Sequence, residues 1–293
     1  MGPSPRRATV LCSTVLVAAL AGCNSSLVDA PSNPAPQSSS AARFAETTGK
    51  AHDELAEDAT ENGIEHLRVA VQGTYKANPG AFTEGLEFDG NDLLVSTGGY
   101  GTSEVYRTDL AGKRKAEARL DRKYFGEGIT RTGDHVWELT WRSGKALKRK
   151  ADTLEEIGST TYSGEGWGLC SFPDRIITSD GTPQLRVLDP DTFVEKDRIS
   201  VSTGSDPVDS INELACVGNE VYANRFPTSD ILRIDAHSGK VTGIIDAASL
   251  DSHAPADPNN VLNGIARFPG RDTFLLAGKR WPLMYEVKFV PAR

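Results

Sequence analysis

From Leu67 onward, short runs of β-branched and aromatic residues alternate with polar residues and are separated by turns rich in Gly, Asp and Asn. Alternation with a period of two is typical of half-buried β-strands, so the pattern predicts an all-β chain. Residues 23–62 are different, because they are rich in Ser, Ala, Pro, Thr and Glu and show no apolar periodicity. We interpret this stretch as a disordered tether that precedes the folded part.

An internal repeat indicates the architecture. Each of five similar starts is followed by a short turn, a second apolar run and a third, and a fourth strand follows in the first four units. The starts lie about 40 to 50 residues apart, which matches four-stranded propeller blades. An open sandwich would not explain five matched starts. The starts are Thr83–Leu86, Gly126–Ile129, Gly166–Leu169, Ile211–Leu214 and Leu262–Ile265.

The fifth unit lacks a fourth strand, and a segment ahead of the first unit can supply it. Leu67–Tyr75 has the required strand pattern. Pairing it with the last unit would close the ring and remove a bare strand edge. We therefore predict that residues 63–293 form a five-bladed β-propeller whose last blade is completed by the N-terminal strand.

Polar and aromatic residues occur where this architecture places them together. In a propeller blade, the start of the first strand and the end of the second share one face beside the central axis. A packed core would have Val, Ile or Leu at these positions, and buried carboxylates or amides are costly unless they are paired or used. The pattern therefore predicts a functional mouth, although Asn263 and Asp180 are equally suited to capping turns. The residues are Glu84, Glu127, Trp167, Asn212 and Asn263 at the starts, and Thr97, Trp141, Asp180, Phe226 and Lys279 at the ends.

The N-terminus has the pattern of an export signal. Arg6 and Arg7 precede an apolar run, Val10–Leu20, which is short for a membrane span. The sequence Leu20-Ala-Gly-Cys23 resembles a bacterial lipobox, in which the cysteine is acylated. We expect residues 1–22 to be a lipoprotein signal peptide and Cys23 the lipidation site, so that the domain is exported and anchored to the bacterial cell membrane. An ordinary secretory leader is the alternative.

The net charge, the histidines and the cysteines limit the binding partners, metal sites and disulfides that can be expected. The formal net charge is −8 and there is no basic stripe, which argues against nucleic acid. The five histidines are scattered, which argues against a zinc site. Cys170 and Cys216 follow first-strand starts in adjacent units, so a disulfide between them is compatible with export and with the fold. Whether they are bonded stays open at this point.

Several motifs, in order and one or more per unit, resemble the plant and bacterial glutaminyl-peptide cyclotransferases. The similarity runs from about Val69 to Val287, nearly the whole predicted domain. Two positions depart from the family, because Glu84 stands where glutamine is common and Phe226 where tryptophan is common. The motifs are Phe82-Thr-Glu-Gly-Leu86, Phe125-Gly-Glu-Gly-Ile-Thr130, Leu139-Thr-Trp141, Gly164-Glu-Gly-Trp-Gly-Leu169, Ser179-Asp-Gly-Thr182, Asn212-Glu-Leu214 and Gly278-Lys-Arg-Trp-Pro282.

The resemblance implies a five-bladed propeller that needs no metal or other cofactor and acts on peptides or proteins with N-terminal glutamine. We separately expect a monomer. The resemblance further implies Glu127 as the general acid and base, with Lys279 and Asn212 as polar groups of the catalytic site. It also implies an aromatic substrate pocket with one further acid. The residues of that pocket are Phe82, Glu84, Phe125, Trp141, Trp167 and Phe226.

The expected reaction joins the α-amine of glutamine to its own side-chain carbonyl carbon and expels ammonia. One carboxyl can move both protons if its pKa lies near neutrality, and burial beside aromatic rings raises a carboxyl pKa. Lys279 or Asn212 would stabilise the developing oxyanion. Two alternatives stay open: a metal-dependent, lactonase-like propeller hydrolase with axial calcium, and a propeller that binds peptides without catalysis. Chelator sensitivity tests the first, and the loss of one ammonia from a peptide tests the second.

Overall fold

A computed structural model of the chain describes residues 60–61 and 63–292. Every regular element in these residues is a β-strand, so the all-β prediction is confirmed. None of the described residues belongs to a helix that could cross a membrane. The predicted leader, Cys23 and nearly all of the predicted tether lie outside the described residues.

Three four-stranded antiparallel sheets follow one another along the chain, and in each the strands are arranged in chain order. Sheet 1 contains β3 (Thr83–Asp89), β4 (Asp92–Thr97), β5 (Glu104–Thr108) and β6 (Arg114–Arg119). Sheet 2 contains β7 (Gly126–Thr132), β8 (His135–Thr140), β9 (Lys145–Lys150) and β10 (Glu156–Thr161). Sheet 3 contains β11 (Leu169–Phe172), β12 (Arg175–Thr178), β13 (Gln184–Leu188) and β14 (Glu195–Ser200). A short hairpin of β15 (Ser202–Thr203) and β16 (Asp206–Pro207) follows.

The remaining strands form one nine-stranded sheet. They are β17 (Ile211–Val217), β18 (Glu220–Arg225), β19 (Asp230–Asp235), β20 (Val241–Asp246), β21 (Leu262–Arg267), β22 (Phe274–Gly278), β23 (Leu283–Pro291), β1 (Thr60–Glu61) and β2 (Ile64–Lys76). Along the sheet the order is β17, β18, β19, β20, β2, β23, β22, β21, with β1 beside β2. Among the described residues, β structure is present from Thr60 onward, whereas the predicted domain starts at residue 63.

Within the nine-stranded sheet, strand β2 joins a fourth group of strands, β17–β20, to a fifth group, β21–β23. It pairs antiparallel with β23 along Leu67–Lys76, which is where the repeat pattern predicts the missing strand of the last unit. It also pairs in parallel with β20 along Glu65–Arg68, which the pattern does not predict. The 13-residue length of β2 explains the difference, because its first residues extend far enough to reach β20.

The first strands of successive groups contact one another. Strands β3, β7, β11, β17 and β21 contact one another in that order, and β21 also contacts β3. Between each successive pair of groups lies one apolar cluster. The clusters include Leu94 with Ile129, Leu139 with Leu169, Ile177 with Leu214, Ile231 with Ile265, and Leu86 with Leu275.

Close approach of the first strands depends on the glycines that follow the polar starts. A Cβ added at Gly128 would lie 2.6 Å from both the Leu169 nitrogen and the Trp167 oxygen, and one at Gly85 would lie 2.8 Å from Ile129 Cγ2. Neither neighbour can move without shifting the next sheet, so only glycine fits. The first strands therefore come close enough for the side chains just before these glycines to meet.

A disulfide links two neighbouring first strands. It joins Cys170 on β11 to Cys216 on β17, with a Cα–Cα distance of 5.4 Å. The bridge closes a segment of 46 residues, and a loop of that size is typically stabilised by about 2–4 kcal/mol through the restricted unfolded chain.

Candidate active site

The nine residues assigned to catalysis and substrate binding from the sequence line one pocket of about 280 Å³. Asn259, from the segment between β20 and β21, also lines it and was not predicted. Its position outside the repeat gave the sequence no signal. The nine are Phe82, Glu84, Phe125, Glu127, Trp141, Trp167, Asn212, Phe226 and Lys279.

Local pairing explains why these side chains meet. Trp141 directly follows β8, and its backbone nitrogen donates to the Phe125 carbonyl, just before β7, at 3.0 Å. The Phe226 nitrogen donates to the carbonyl of Ser210 at 2.8 Å in the same way, beside the start of β17. The end of a second strand is therefore tied to the start of the first, as the propeller pattern predicts.

A β-bulge falls on the polar start in four of the five first strands. The register shifts between Thr83 and Gly85, and again at the corresponding places in β7, β17 and β21. The positions inside the shifts include Glu84, Glu127, Asn212 and Asn263. A bulge breaks the strict alternation of side chains and redirects one of them, which is a common device beside functional sites. The sequence did not reveal these bulges.

Two buried carboxyl groups and one ammonium form the polar floor of the pocket. Lys279 Nζ lies 2.9 Å from Glu84 Oε2, and both side chains are almost fully buried. Glu127 is 5% exposed and lines the same pocket, close enough to Glu84 for the charge of that carboxylate to raise its pKa. Two buried carboxyl groups that are close together cannot both ionise easily, so one of them favours the protonated form. The pair therefore favours holding one proton beside a single cation.

The charge of Glu84 is well supported. Its Oε2 also accepts a hydrogen bond from Asn263 Nδ2 at 2.9 Å. Asn263 thus holds Glu84 from outside the pocket instead of capping a turn. Since Lys279 and Asn263 both donate to Glu84, the arrangement favours the carboxylate on Glu84 and the proton on Glu127.

Burial is the main reason why the pKa values of Glu84 and Glu127 are raised. It raises the pKa of Glu84 to about 7, against the opposing effect of Lys279. The pKa of Glu127 lies well above its usual range, first because of burial and then because of the negative charge of Glu84. Lys279 lowers the pKa of Glu127 as well, but less than these two effects raise it. A carboxyl that is protonated near neutral pH can act as a general acid.

Five aromatic rings form the walls. Phe125 lies between Phe82 and Trp141, with ring centroids 6.1 and 5.5 Å away. On the other side, Trp167 and Phe226 make an edge-to-face contact at 6.1 Å. The Lys279 ammonium lies 4.8 Å from the ring centre of Phe82, which stabilises the cation where little water reaches it.

Asn212 is the unpaired polar group of the site. Its side-chain oxygen is buried and has no hydrogen-bond partner among the described residues. Its amide also makes no other side-chain hydrogen bond in the described part of the chain. An amide that lines a pocket without a protein partner is available to bind a substrate carbonyl or amide.

Thr97, Asn263 and Asp180, which were also predicted at the mouth, lie outside the pocket lining. Asp180 Oδ1 accepts hydrogen bonds from the backbone and hydroxyl of Thr182, so it caps a turn. Trp281 is buried, and its indole donates to the Asn260 carbonyl at 3.0 Å. In residues 60–61 and 63–292, no group of three or more His, Cys, Asp and Glu residues is placed to hold a metal ion.

Comparisons with known proteins agree with the motifs. The glutamine cyclotransferase family model matches residues 42–289. The chain is 33% identical over 233 residues to a glutaminyl-peptide cyclotransferase of Arabidopsis thaliana, covering 76% of this chain and 72% of that protein. It is also similar to the crystal structure of Myxococcus xanthus glutaminyl cyclase, with a TM-score of 0.73 and 32% identity over 78% of this chain and 99% of that one. The family match spans every residue that lines the pocket.

Proposed function

Because the chain belongs to the glutamine cyclotransferase family, we propose that it is a glutaminyl-peptide cyclotransferase that converts the N-terminal glutamine of peptides and proteins to pyroglutamate. The observation that carries the proposal is the pair of buried carboxyl groups, Glu84 and Glu127, beside Lys279 on the floor of an aromatic pocket. A bond forms between the α-nitrogen and the side-chain carbonyl carbon, the bond from that carbon to the amide nitrogen breaks, and ammonia leaves.

The walls position the substrate. The stem of glutamine is apolar, and the rings of Trp141 and Trp167 offer it a flat slot. Both reacting groups belong to one residue, so holding the side chain folded toward its own amine supplies much of the rate enhancement. Glu84 carries the negative charge that suits a substrate amine, and Lys279 prevents that charge from being unbalanced in a buried site.

Glu127 moves the protons. The amine must lose a proton as it attacks, and the leaving nitrogen must gain one. Glu127, protonated beside Glu84, donates to the leaving nitrogen, and the pair accepts the proton of the amine. The proton count of the pair is restored at the end of each turnover.

Asn212 stabilises the oxyanion. The carbonyl oxygen of the glutamine side chain becomes negative during attack and needs a donor already in place. The charge of Lys279 is already matched by Glu84, whereas the Asn212 side chain makes no hydrogen bond to another described residue and its buried Oδ1 has no partner. We therefore assign the NH2 group of Asn212 to the oxyanion, and Lys279 sets the charge of the carboxyl pair.

Mass spectrometry of a Gln-initiated peptide tests the proposal directly, because cyclisation removes one ammonia. The matched control is the same peptide with an acetylated α-amine, which cannot attack. Cyclisation that persists in EDTA supports the metal-independent reaction, while its loss would favour the lactonase-like reading. Binding of the peptide without any loss of ammonia would leave the non-catalytic alternative.

The domain organisation belongs to the same proposal. Residues 63–293 form the catalytic domain, a monomeric five-bladed propeller in which β2 completes the last blade; the contacts among the five first strands and the pairing of β2 with β23 support this. Residues 1–22 are the signal peptide, Cys23 carries the lipid and residues 23–62 are the tether, so the domain works outside the cytoplasm of a bacterial cell. Cys23→Ala should move the protein from the membrane fraction to the soluble fraction, and retention in the membrane would contradict the anchor.

A further inference from the structure

One carboxylate outside the pocket lining contacts both tryptophan walls. Glu165 Oε2 accepts a hydrogen bond from the indole nitrogen of Trp141 at 2.7 Å and another from that of Trp167 at 3.0 Å. Trp141 follows the second strand of sheet 2, and Trp167 precedes the first strand of sheet 3. The single oxygen thus connects the pocket ends of two neighbouring sheets.

A cation completes the arrangement from the solvent side. Arg142 Nε donates to the other oxygen, Glu165 Oε1, at 2.8 Å. The same guanidinium lies over the ring of Trp141, 3.8 Å from its centre. Arg142 therefore binds the carboxylate of Glu165 and also packs against the ring of Trp141. Neither its side chain nor that of Glu165 lines the pocket.

We propose that Glu165 is a positioning residue that clamps Trp141 and Trp167 at a fixed separation, and that it occupies both of their indole N–H donors. The substrate therefore meets only the carbon faces and edges of these walls. This inference rests on the proposed function, since it concerns how the glutamine side chain is held. In this arrangement the groups on the pocket floor make the hydrogen bonds to the substrate. The tryptophan walls determine the shape of the pocket.

The chemistry of the clamp favours the ionised carboxylate. Partial burial raises the pKa of Glu165, but the hydrogen bonds from Trp167, Arg142 and Trp141 outweigh it and hold that pKa below its usual range. The group therefore stays charged throughout the neutral and mildly acidic range. One anion accepting two indole donors fixes both rings more firmly than separate neutral acceptors would.

The clamp predicts an effect on substrate positioning. Misplacing a reacting group by about 1 Å can lower a rate by roughly 10²-fold. Glu165→Ala should raise KM and lower kcat, with kcat/KM falling by roughly 10- to 100-fold. Glu165→Gln keeps one acceptor oxygen and should recover much of that loss. Glu165→Asp keeps the charge but is too short to reach both indoles, so its loss should be intermediate.

The experiment combines kinetics with tryptophan fluorescence and thermal melting. Released Trp141 and Trp167 rings should become more accessible to acrylamide in Glu165→Ala than in the wild type. The matched control is Glu155→Ala, which removes an exposed carboxylate paired only with Lys150 and should change neither readout. If Glu165→Ala does not fold, Glu165→Asp carries the test.

The outcomes separate the clamp from the proposed function. Wild-type KM and wild-type quenching in both Glu165→Ala and Glu165→Asp would overturn the clamp. A wild-type chain that never cyclises glutamine would instead contradict the proposed function, and quenching of the Glu165 variants would then decide the clamp by itself. Increased quenching with a rescued Glu165→Gln supports it.

Discussion

Two buried glutamates on neighbouring strands of sheet 2 have opposite surroundings. Glu138 on β8 is fully paired, with Oε2 2.6 Å from Arg149 Nε, and both side chains are buried. Glu127 on β7 faces the pocket, where the neighbouring charged groups are the carboxyl of Glu84 and the ammonium of Lys279, and that ammonium is paired with Glu84. Burial raises the pKa of both groups, and for Glu138 the charge of Arg149 works against it.

The difference distinguishes buried carboxyl groups with a structural role from those with a catalytic role. A carboxylate that is paired with a guanidinium is stabilised in its charged form and does not readily exchange a proton. A carboxyl that favours the protonated form because of a neighbouring carboxylate, beside a cavity, can give that proton up when a substrate arrives. Pairing and access, rather than burial alone, therefore separate Glu127 from Glu138.

The largest expected effect is on turnover, from Glu127→Gln. The substitution keeps the size of the side chain and removes the proton that the reaction transfers, so kcat should fall by roughly 10²- to 10⁴-fold. The melting temperature should not fall at neutral pH, because a neutral amide replaces a carboxyl that burial makes costly to ionise. Ammonia release from a Gln-initiated peptide measures the rate, and turnover near the wild-type value would refute the role of Glu127.

Glu138→Gln should have the opposite signature. It leaves the buried guanidinium of Arg149 without its anion, and breaking such a pair typically costs about 3–5 kcal/mol. The urea midpoint should therefore drop sharply, while kcat per folded molecule stays at the wild-type value. A variant that melts normally but turns over slowly would erase the distinction between the two glutamates.

Much of this contrast follows from positions that the sequence makes visible. The repeat places strand starts and ends at one mouth, and the family motifs then select Glu127 and Lys279 from them. The proximity of Glu127 to Glu84 could not be predicted from the sequence pattern, because it depends on bulges that redirect the two side chains. It also does not reveal Asn259, which belongs to a connecting segment outside the repeat.

Other features could not be predicted from the sequence because they depend on the relative placement of strands. The pairing of β2 with β20 depends on how far a long strand extends past its partner, which the hydrophobic pattern does not record. Asn263 is equally suited by its sequence position to a turn cap or to the mouth, and in the structure it donates a hydrogen bond to Glu84. Glu165 was part of a recognised motif, but its hydrogen bonds to two indoles depend on the placement of two sheets.

Removing the pocket cation should move the pH profile. Lys279 lowers the pKa of both Glu84 and Glu127, so Lys279→Met should raise them further. Activity needs one carboxylate in the pair, and the acidic limb of kcat/KM should therefore shift upward by roughly one pH unit or more. Lys150→Met, which breaks an exposed pair with Glu155, is the control that should leave the limb in place. An unshifted limb in Lys279→Met would mean that Lys279 does not control the pair.

The smallest expected effect is on stability as a function of pH. The pKa of Glu84 is raised to about 7, so between its ordinary value and about pH 7 the folded state binds a proton that the unfolded chain has lost. Stability therefore decreases as the pH rises through this window. Carboxylates with a lowered pKa, such as Glu104, act in the opposite direction, but only at more acidic pH.

We expect the melting temperature to fall by about 5 °C between pH 5 and pH 7.5, and to fall less in Glu127→Gln because the raised pKa of Glu127 then no longer contributes to the slope. Calorimetry at several pH values measures both slopes under the same buffer conditions. Glu155→Gln alters an exposed carboxyl and should keep the wild-type slope. A wild-type melting temperature that rises over this range would show that the buried pair is charged at little cost, and Glu127 would then resemble Glu138 after all.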